Sequence, residues 1–163
     1  MKKMSIFVAC LGLAITVGAC SSRSDAESPA SLNAKLVVYK SPTCGCCEKW
    51  IEHMKDAGFE VEAHDVQDMK EVKSALGIND RFSSCHTALV DGYVIEGHVP
   101  ADQVKRLLAE KPDFRGLAVP RMPPGSPGME LENTSLHQDY DVLTFDHEGR
   151  TTVYHHVEAN TGS

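Results

Sequence analysis

The residues best suited to chemistry are sulfur ligands, and they are crowded. Thr43-Cys44-Gly45-Cys46-Cys47 places three cysteines within four residues. A disulfide framework spreads its cysteines along the chain to close loops, and neighbours such as Cys46 and Cys47 are poorly placed to bond each other. Clustering of this kind points to metal or redox chemistry. If a helix begins here, its free backbone N–H groups and partial positive potential favour thiolate, the form that attacks disulfides and binds metal. Cys44 and Cys47 alone make a Cys-x-x-Cys redox pair. Cys46 is surplus to that pair, because dithiol exchange needs two sulfurs, whereas a soft ion such as copper(I) gains from a third and a fourth. Cys85, in Ser84-Cys85-His86-Thr87, is the candidate fourth. Two plainer readings stand beside this one. The first is a structural disulfide with a spare thiol; the second is zinc, although the other Cys-x-x-Cys of a zinc ribbon is absent.

Imidazoles and thioethers widen the donor set. His86 adjoins Cys85, and His98 stands in Gly97-His98-Val99-Pro100. Met122 and Met129 flank a Pro/Gly-rich stretch that could fold over the cysteines, and thioether sulfur suits copper(I). Each has an ordinary alternative: hydrogen bonding for His86, packing for the methionines. His155 and His156 are adjacent in a strand-like segment and point to opposite faces, so at most one can serve a given site. His53, His64, His137 and His147 read as solvated.

These donors must be positioned by something. Leu36 to Tyr39 is a short apolar run, as a buried parallel strand would be. Ser41-Pro42-Thr43 turns the chain, and Cys47, Trp50, Ile51 and Met54 then recur at helical spacing until Gly58. Phe59 to His64 alternates as a second strand. Met69, Val72, Ala75 and Leu76 give a second helix, closed at Gly77. Thr87 to Val90 and Tyr93 to Glu96 flank Asp91-Gly92, a strong hairpin signal. Val104, Leu107 and Leu108 predict a last helix before Pro112. The expected fold is therefore α/β and thioredoxin-like, in the order β-α-β-α-β-β-α. In that plan the residue before the third strand lies against the first-helix cysteines. Thioredoxins and glutaredoxins place a cis-proline there to dock substrate peptide; this chain has His86, with Cys85 beside it. Beyond the last helix come the irregular segment Arg121 to Met129 and an added hairpin, Tyr140 to Phe145 with Thr151 to Val157.

The N-terminus places the domain. Lys2 and Lys3 precede the apolar run Ile6 to Val17, too short for an ordinary membrane span, so residues 1–20 read as an export signal. Its end, Val17-Gly18-Ala19-Cys20, resembles the bacterial lipobox, which makes Cys20 the candidate lipidation site. The alternative is an ordinary signal cut slightly later. Residues 21–33 are polar and small and read as a flexible tether, leaving 34–163 as one domain in the periplasm or cell envelope, its membrane link a lipid anchor. The 163-residue chain carries 16 basic and 23 acidic residues, a net charge of −7. Loss of Lys2 and Lys3 makes it more acidic still, and no basic cluster interrupts that surface. Nucleic acid is excluded as a partner.

Tyr39-Lys40-Ser41-Pro42-Thr43-Cys44-Gly45-Cys46-Cys47, Ser84-Cys85-His86-Thr87-Ala88, Gly97-His98-Val99-Pro100-Ala101, and Met122 with Gly125-Ser126-Pro127-Gly128-Met129 together resemble the CopG-like family. These are exported bacterial proteins of thioredoxin-like fold linked to copper resistance. The resemblance runs from about Lys35 to Tyr154. It implies copper bound through the clustered cysteines, as a multinuclear thiolate cluster, with conversion between copper oxidation states and an envelope protein as copper donor or acceptor. The possible lipid anchor and the paired His155-His156 depart from it. The metal set expected is Cys44, Cys46, Cys47, Cys85, His86, His98, Met122 and Met129. Copper(I) suits the thiolates and copper(II) the imidazoles. A protein that sequesters, hands on or redox-cycles copper is the leading reading. A thiol–disulfide oxidoreductase using Cys44 as nucleophile and Cys47 as resolving thiol is the rival.

Overall fold

The computed structural model describes residues 34–159; the export signal, Cys20 and the tether lie outside them. The described chain runs β1 (Lys35–Lys40), α1 (Gly45–Asp56), β2 (Glu60–Asp65), α2 (Met69–Ala75), β3 (Thr87–Val90), β4 (Tyr93–Glu96), α3 (Ala101–Glu110), β5 (Gly116–Ala118), a 3₁₀ turn at Thr134–Leu136, β6 (Tyr140–Phe145) and β7 (Thr151–Val157). Through α3 this is the element order read from the sequence. The first helix buries Cys47, Trp50, Ile51 and Met54 on one face, the stripe its spacing predicts. It closes with Gly58 N–H on Lys55 O and Phe59 N–H on Met54 O, the paired bonds of a Schellman motif. Asp91 and Gly92 both take positive φ, 46° and 85°, as a two-residue primed turn demands.

Among the described residues seven strands form one mixed sheet in the order β2-β1-β3-β4-β5-β6-β7. β1 lies parallel to β2 and antiparallel to β3, and β3 and β4 form the hairpin. The main core gathers Leu36, Val38, Trp50, Met54, Ile95, Val104, Leu107 and Leu117. A second cluster, with Phe82 stacked on Phe145 at 4.7 Å between centroids, includes Val94 and Ala118.

Three expectations need correction. β5 was not legible: three residues including a glycine carry no period, yet they run parallel to β4 and antiparallel to β6. The C-terminal hairpin is therefore an extension of the main sheet through β5 rather than an appendage. α2 forms where expected but buries no residue; Met69, Val72 and Leu76 are half-buried and Ala75 is exposed. Finally, His53 is not solvated. It is half-buried, and its Nε2 accepts from the Ala101 N–H at 3.1 Å, serving the N-terminal end of α3.

Candidate metal centre

Cys44 is the N-cap of α1, with extended backbone (φ −82°, ψ 92°), and its side chain makes no capping bond. The chain therefore turns into the helix with Cys44, Cys46 and Cys47 at its free N–H end. Cys44 and Cys47 are joined as a disulfide, with their Cα atoms 5.3 Å apart. Cys46 and Cys85 are free thiols, both half-buried. Cys46 Sγ lies 3.5 Å from Cys44 Sγ and 3.9 Å from Cys85 Sγ, which arrives from the loop before β3. All four sulfurs fall within 4.8 Å of one another. The Met122 thioether is 3.9 Å from Cys46 Sγ.

Cys85 also belongs to a second trio, with His86 and His98, whose ligand atoms share the same 4.8 Å limit. Its sulfur is 3.0 Å from His98 Nε2 and 3.3 Å from His86 Nδ1. Hydrogen placement follows from the partners. His98 Nδ1 lies 2.7 Å from the Pro127 carbonyl, which can only accept, so Nδ1 carries the proton and Nε2 presents its lone pair to Cys85. Cys85 has one S–H to give. His86 Nδ1 must then donate to the sulfur, leaving His86 Nε2 buried with no hydrogen-bond partner of good geometry. Burial, helped by neighbouring Cys46, pushes the Cys85 thiol up to about 12, so metal binding there must displace a proton. The donor set fits a soft cation that replaces that hydrogen. A metal-binding imidazole whose other nitrogen is held by a carbonyl is the arrangement that fixes ring orientation at metal sites.

Burial holds both imidazoles below their ordinary value, His86 far below, with His98 and Lys73 acting in the same direction on His86. For His98 the Pro127 carbonyl partly offsets the burial. His53 is lowered by burial as well. In each case the unfolded chain takes up a proton near pH 6.5 that the folded chain refuses. The stability these groups contribute is complete above that pH and is lost as pH falls toward their folded values. Unfolding of the metal-free protein in urea should therefore show a midpoint that drops steadily from about pH 7 to about pH 5, a range above most carboxylate titrations. His156, raised by Asp141, runs the opposite way but is solvent-exposed. A midpoint flat across that range would mean that the folded state accepts these protons.

Three devices hold the donors. Trp50, fully buried on α1, donates Nε1–H to Val99 O at 2.9 Å and lies 4.3 Å from the His86 ring, flooring the site. The fully buried Glu96 carboxylate accepts from Ser84 N and Thr87 Oγ1, both at 2.6 Å, and pairs with Lys73 Nζ. It thereby clamps the residues on either side of Cys85-His86. Lys40, 2% exposed, ties Asp65 of β2 and Glu48 of α1 to the end of β1, each at 2.6 Å, just before the cysteine loop.

The Pro/Gly-rich segment is seated by Gly128. It has φ +86°, and a Cβ there would stand 2.8 Å from both Cys46 O and Trp50 N. Gly128→Ala should therefore destabilise the protein by roughly 1–3 kcal/mol and lift Pro127 away from His98. Thermal unfolding reads the first effect, and the His98 Hδ1 resonance reads the second.

The structure thus brings together Cys44, Cys46, Cys47, Cys85, His86, His98 and Met122. Met129 is half-buried, with its backbone bonded to Ser126 and Gly125. His155 pairs in register with Val142 at the far end of the sheet order, and His156 bonds Asp141. Glu96, Lys73, Lys40 and the Pro127 carbonyl escaped sequence reasoning. The pattern Thr87 against Glu96 across a two-residue turn offered the one usable signal.

Comparison with known proteins follows the same geometry. Residues 82–129 match the family described as "Protein of unknown function, DUF411", a span holding Cys85, His86, His98, Met122 and Met129. No curated protein matches the chain. Two solved structures do: copper resistance protein copG, Form 2 and Form 1. Each is 40% identical with a TM-score of 0.71, and the alignments cover 76% of this chain and 98% and 97% of the other. The chain belongs to the CopG family. The Cys44-Gly45-Cys46-Cys47 segment lies outside the matched 82–129 span and meets Cys85 in space.

Proposed function

We propose that this CopG-family chain is a copper-binding protein of the cell envelope that sequesters, hands on or redox-cycles copper, in support of copper resistance. One observation carries the reading: four cysteine sulfurs within 4.8 Å of one another share Cys85 with two buried imidazoles, in a chain 40% identical to proteins named for copper resistance. Thiolate and thioether favour copper(I), and the imidazole side accommodates copper(II). Donors this numerous suit more than one copper(I) ion, held as a cluster bridged by thiolate. Cys44, Cys46, Cys47, Cys85, His86 and His98 are the proposed holding ligands, Met122 is a transient one beside Cys46, and Met129 closes the turn after Met122 through its backbone. Oxidation of the Cys44 and Cys47 thiols to their disulfide releases two electrons and two protons, enough to take two copper(II) ions to copper(I). The strand order β2-β1-β3-β4 with its helices supports a thioredoxin-like core. The leader and Cys20 support an exported, lipid-anchored protein working with a copper donor or acceptor of the envelope.

A second reading, thiol–disulfide exchange, is favoured by the Cys44–Cys47 disulfide. Against it, His86 and Cys85 occupy the entry to β3 where an exchange enzyme docks peptide.

Anaerobic titration separates the two. The dithiol form should bind copper(I) at more than one equivalent, in preference to zinc, with loss of all free thiols. The disulfide form should bind fewer equivalents, and the dithiol form should reduce model protein disulfides poorly. Rapid disulfide turnover with copper uptake no better than that of zinc would overturn the copper reading.

A further inference from the structure

We propose that Met122 is the ligand through which copper(I) enters and leaves, the outermost of a line of donors leading inward through Cys46 and Cys85 to His98 and His86. This rests on the copper reading above and specifies its route. The donors are ordered in space and in exposure. Met122 Sδ is 3.9 Å from Cys46 Sγ, Cys46 is 3.9 Å from Cys85, and Cys85 is 3.0 and 3.3 Å from the two imidazoles. Met122 is 45% exposed, the two cysteines are half-buried, and both histidines are fully buried.

None of these donors belongs to the Cys44–Cys47 disulfide, so the line is present whichever redox state that pair holds. Met122 also borders an open cavity of about 390 Å³ lined by Pro120, Arg121, Pro123 and Tyr140, wide enough for an incoming ligand to reach the ion there. A side chain this exposed adds little to packing, and its sulfur meets that of Cys46.

The chemistry suits an entry ligand rather than a holding one. A neutral thioether binds copper(I) without a proton to lose, whereas Cys85 must give one up. The ion can therefore be taken first by Met122 as a bond to the donor molecule breaks, then passed to Cys46 as the bond to Met122 breaks and the Cys46 thiol proton leaves to solvent. Copper stays in the +1 state throughout and no electron moves. A ligand that lowers the barrier without holding the ion at equilibrium changes the rate in both directions by the same factor.

The test is stopped-flow exchange between the reduced protein and a coloured bidentate copper(I) chelator, in both directions, for the wild type, Met122→Leu and Met129→Leu. Met122→Leu should slow loading and unloading alike, by about tenfold, while the final partition stays at the wild-type position. Met129→Leu, on the same segment, should change neither. A shifted partition in Met122→Leu would make Met122 a holding ligand, and unchanged rates would make it a bystander; either overturns the proposal. A wild-type protein that takes up no copper(I) overturns the copper reading itself, and the entry route with it.

Discussion

Cys85→Ser is expected to lower copper(I) retention by roughly 100-fold or more, since loss of a mere supporting contact to a ligand already costs 10–100-fold at metal sites. Cys85 is the one residue common to the four-sulfur group and the Cys85-His86-His98 trio. Its removal disconnects them, leaving a cysteine cluster on α1 and two imidazoles that lack a soft anion. The replacement hydroxyl can still donate to His98 Nε2, which lies 3.0 Å from the present sulfur, so the fold and the His98–Pro127 bond should survive. Competition against a strong copper(I) chelator measures the loss, and an unchanged thermal midpoint shows that it is not unfolding. Wild-type retention in this variant would confine copper to the α1 cysteines.

Cys46→Ser should also cost copper(I) retention heavily, by at least about tenfold, because a hard hydroxyl replaces a soft thiolate. Here the geometry separates the two functional readings. Cys46 is outside the Cys44–Cys47 disulfide, and it lies 3.5 Å from Cys44, 3.9 Å from Cys85 and 3.9 Å from Met122. A thiol-exchange enzyme keeps its nucleophile and resolving thiol in this variant and should turn over disulfides as before. A copper site loses the sulfur that links every other soft donor. Copper(I) count and chelator competition, measured beside turnover of a model disulfide, read both at once. Intact copper binding with brisk, unaltered disulfide turnover would favour the exchange reading.

Much of this was legible in the chain because it is local. Cys44, Cys46 and Cys47 are adjacent, so no fold was needed to see that their thiols would meet. The Cys47-Trp50-Ile51-Met54 stripe reports a helix because burial on one face demands that period. Asp91-Gly92 reports its hairpin because few residue pairs accept two positive φ values. His53 misled for the opposite reason: a histidine among charged helix neighbours looks solvated until the start of α3, 48 residues later, supplies the N–H that its ring accepts.

Tertiary structure alone decided how the site is divided. Cys85 stands 39 residues from Cys46, and only the antiparallel pairing of β3 with β1 carries it to the N-terminal end of α1. Which histidine nitrogen is free depends on the Pro127 carbonyl, delivered by a loop that Gly128 seats against Cys46 and Trp50. Met122 meets Cys46 only because the fold brings together two residues 76 positions apart, which composition does not encode. Residue type set what each donor can bind; the packing of distant segments set which donors share an ion, because ligand bonds act only at contact while their residues are scattered along the chain.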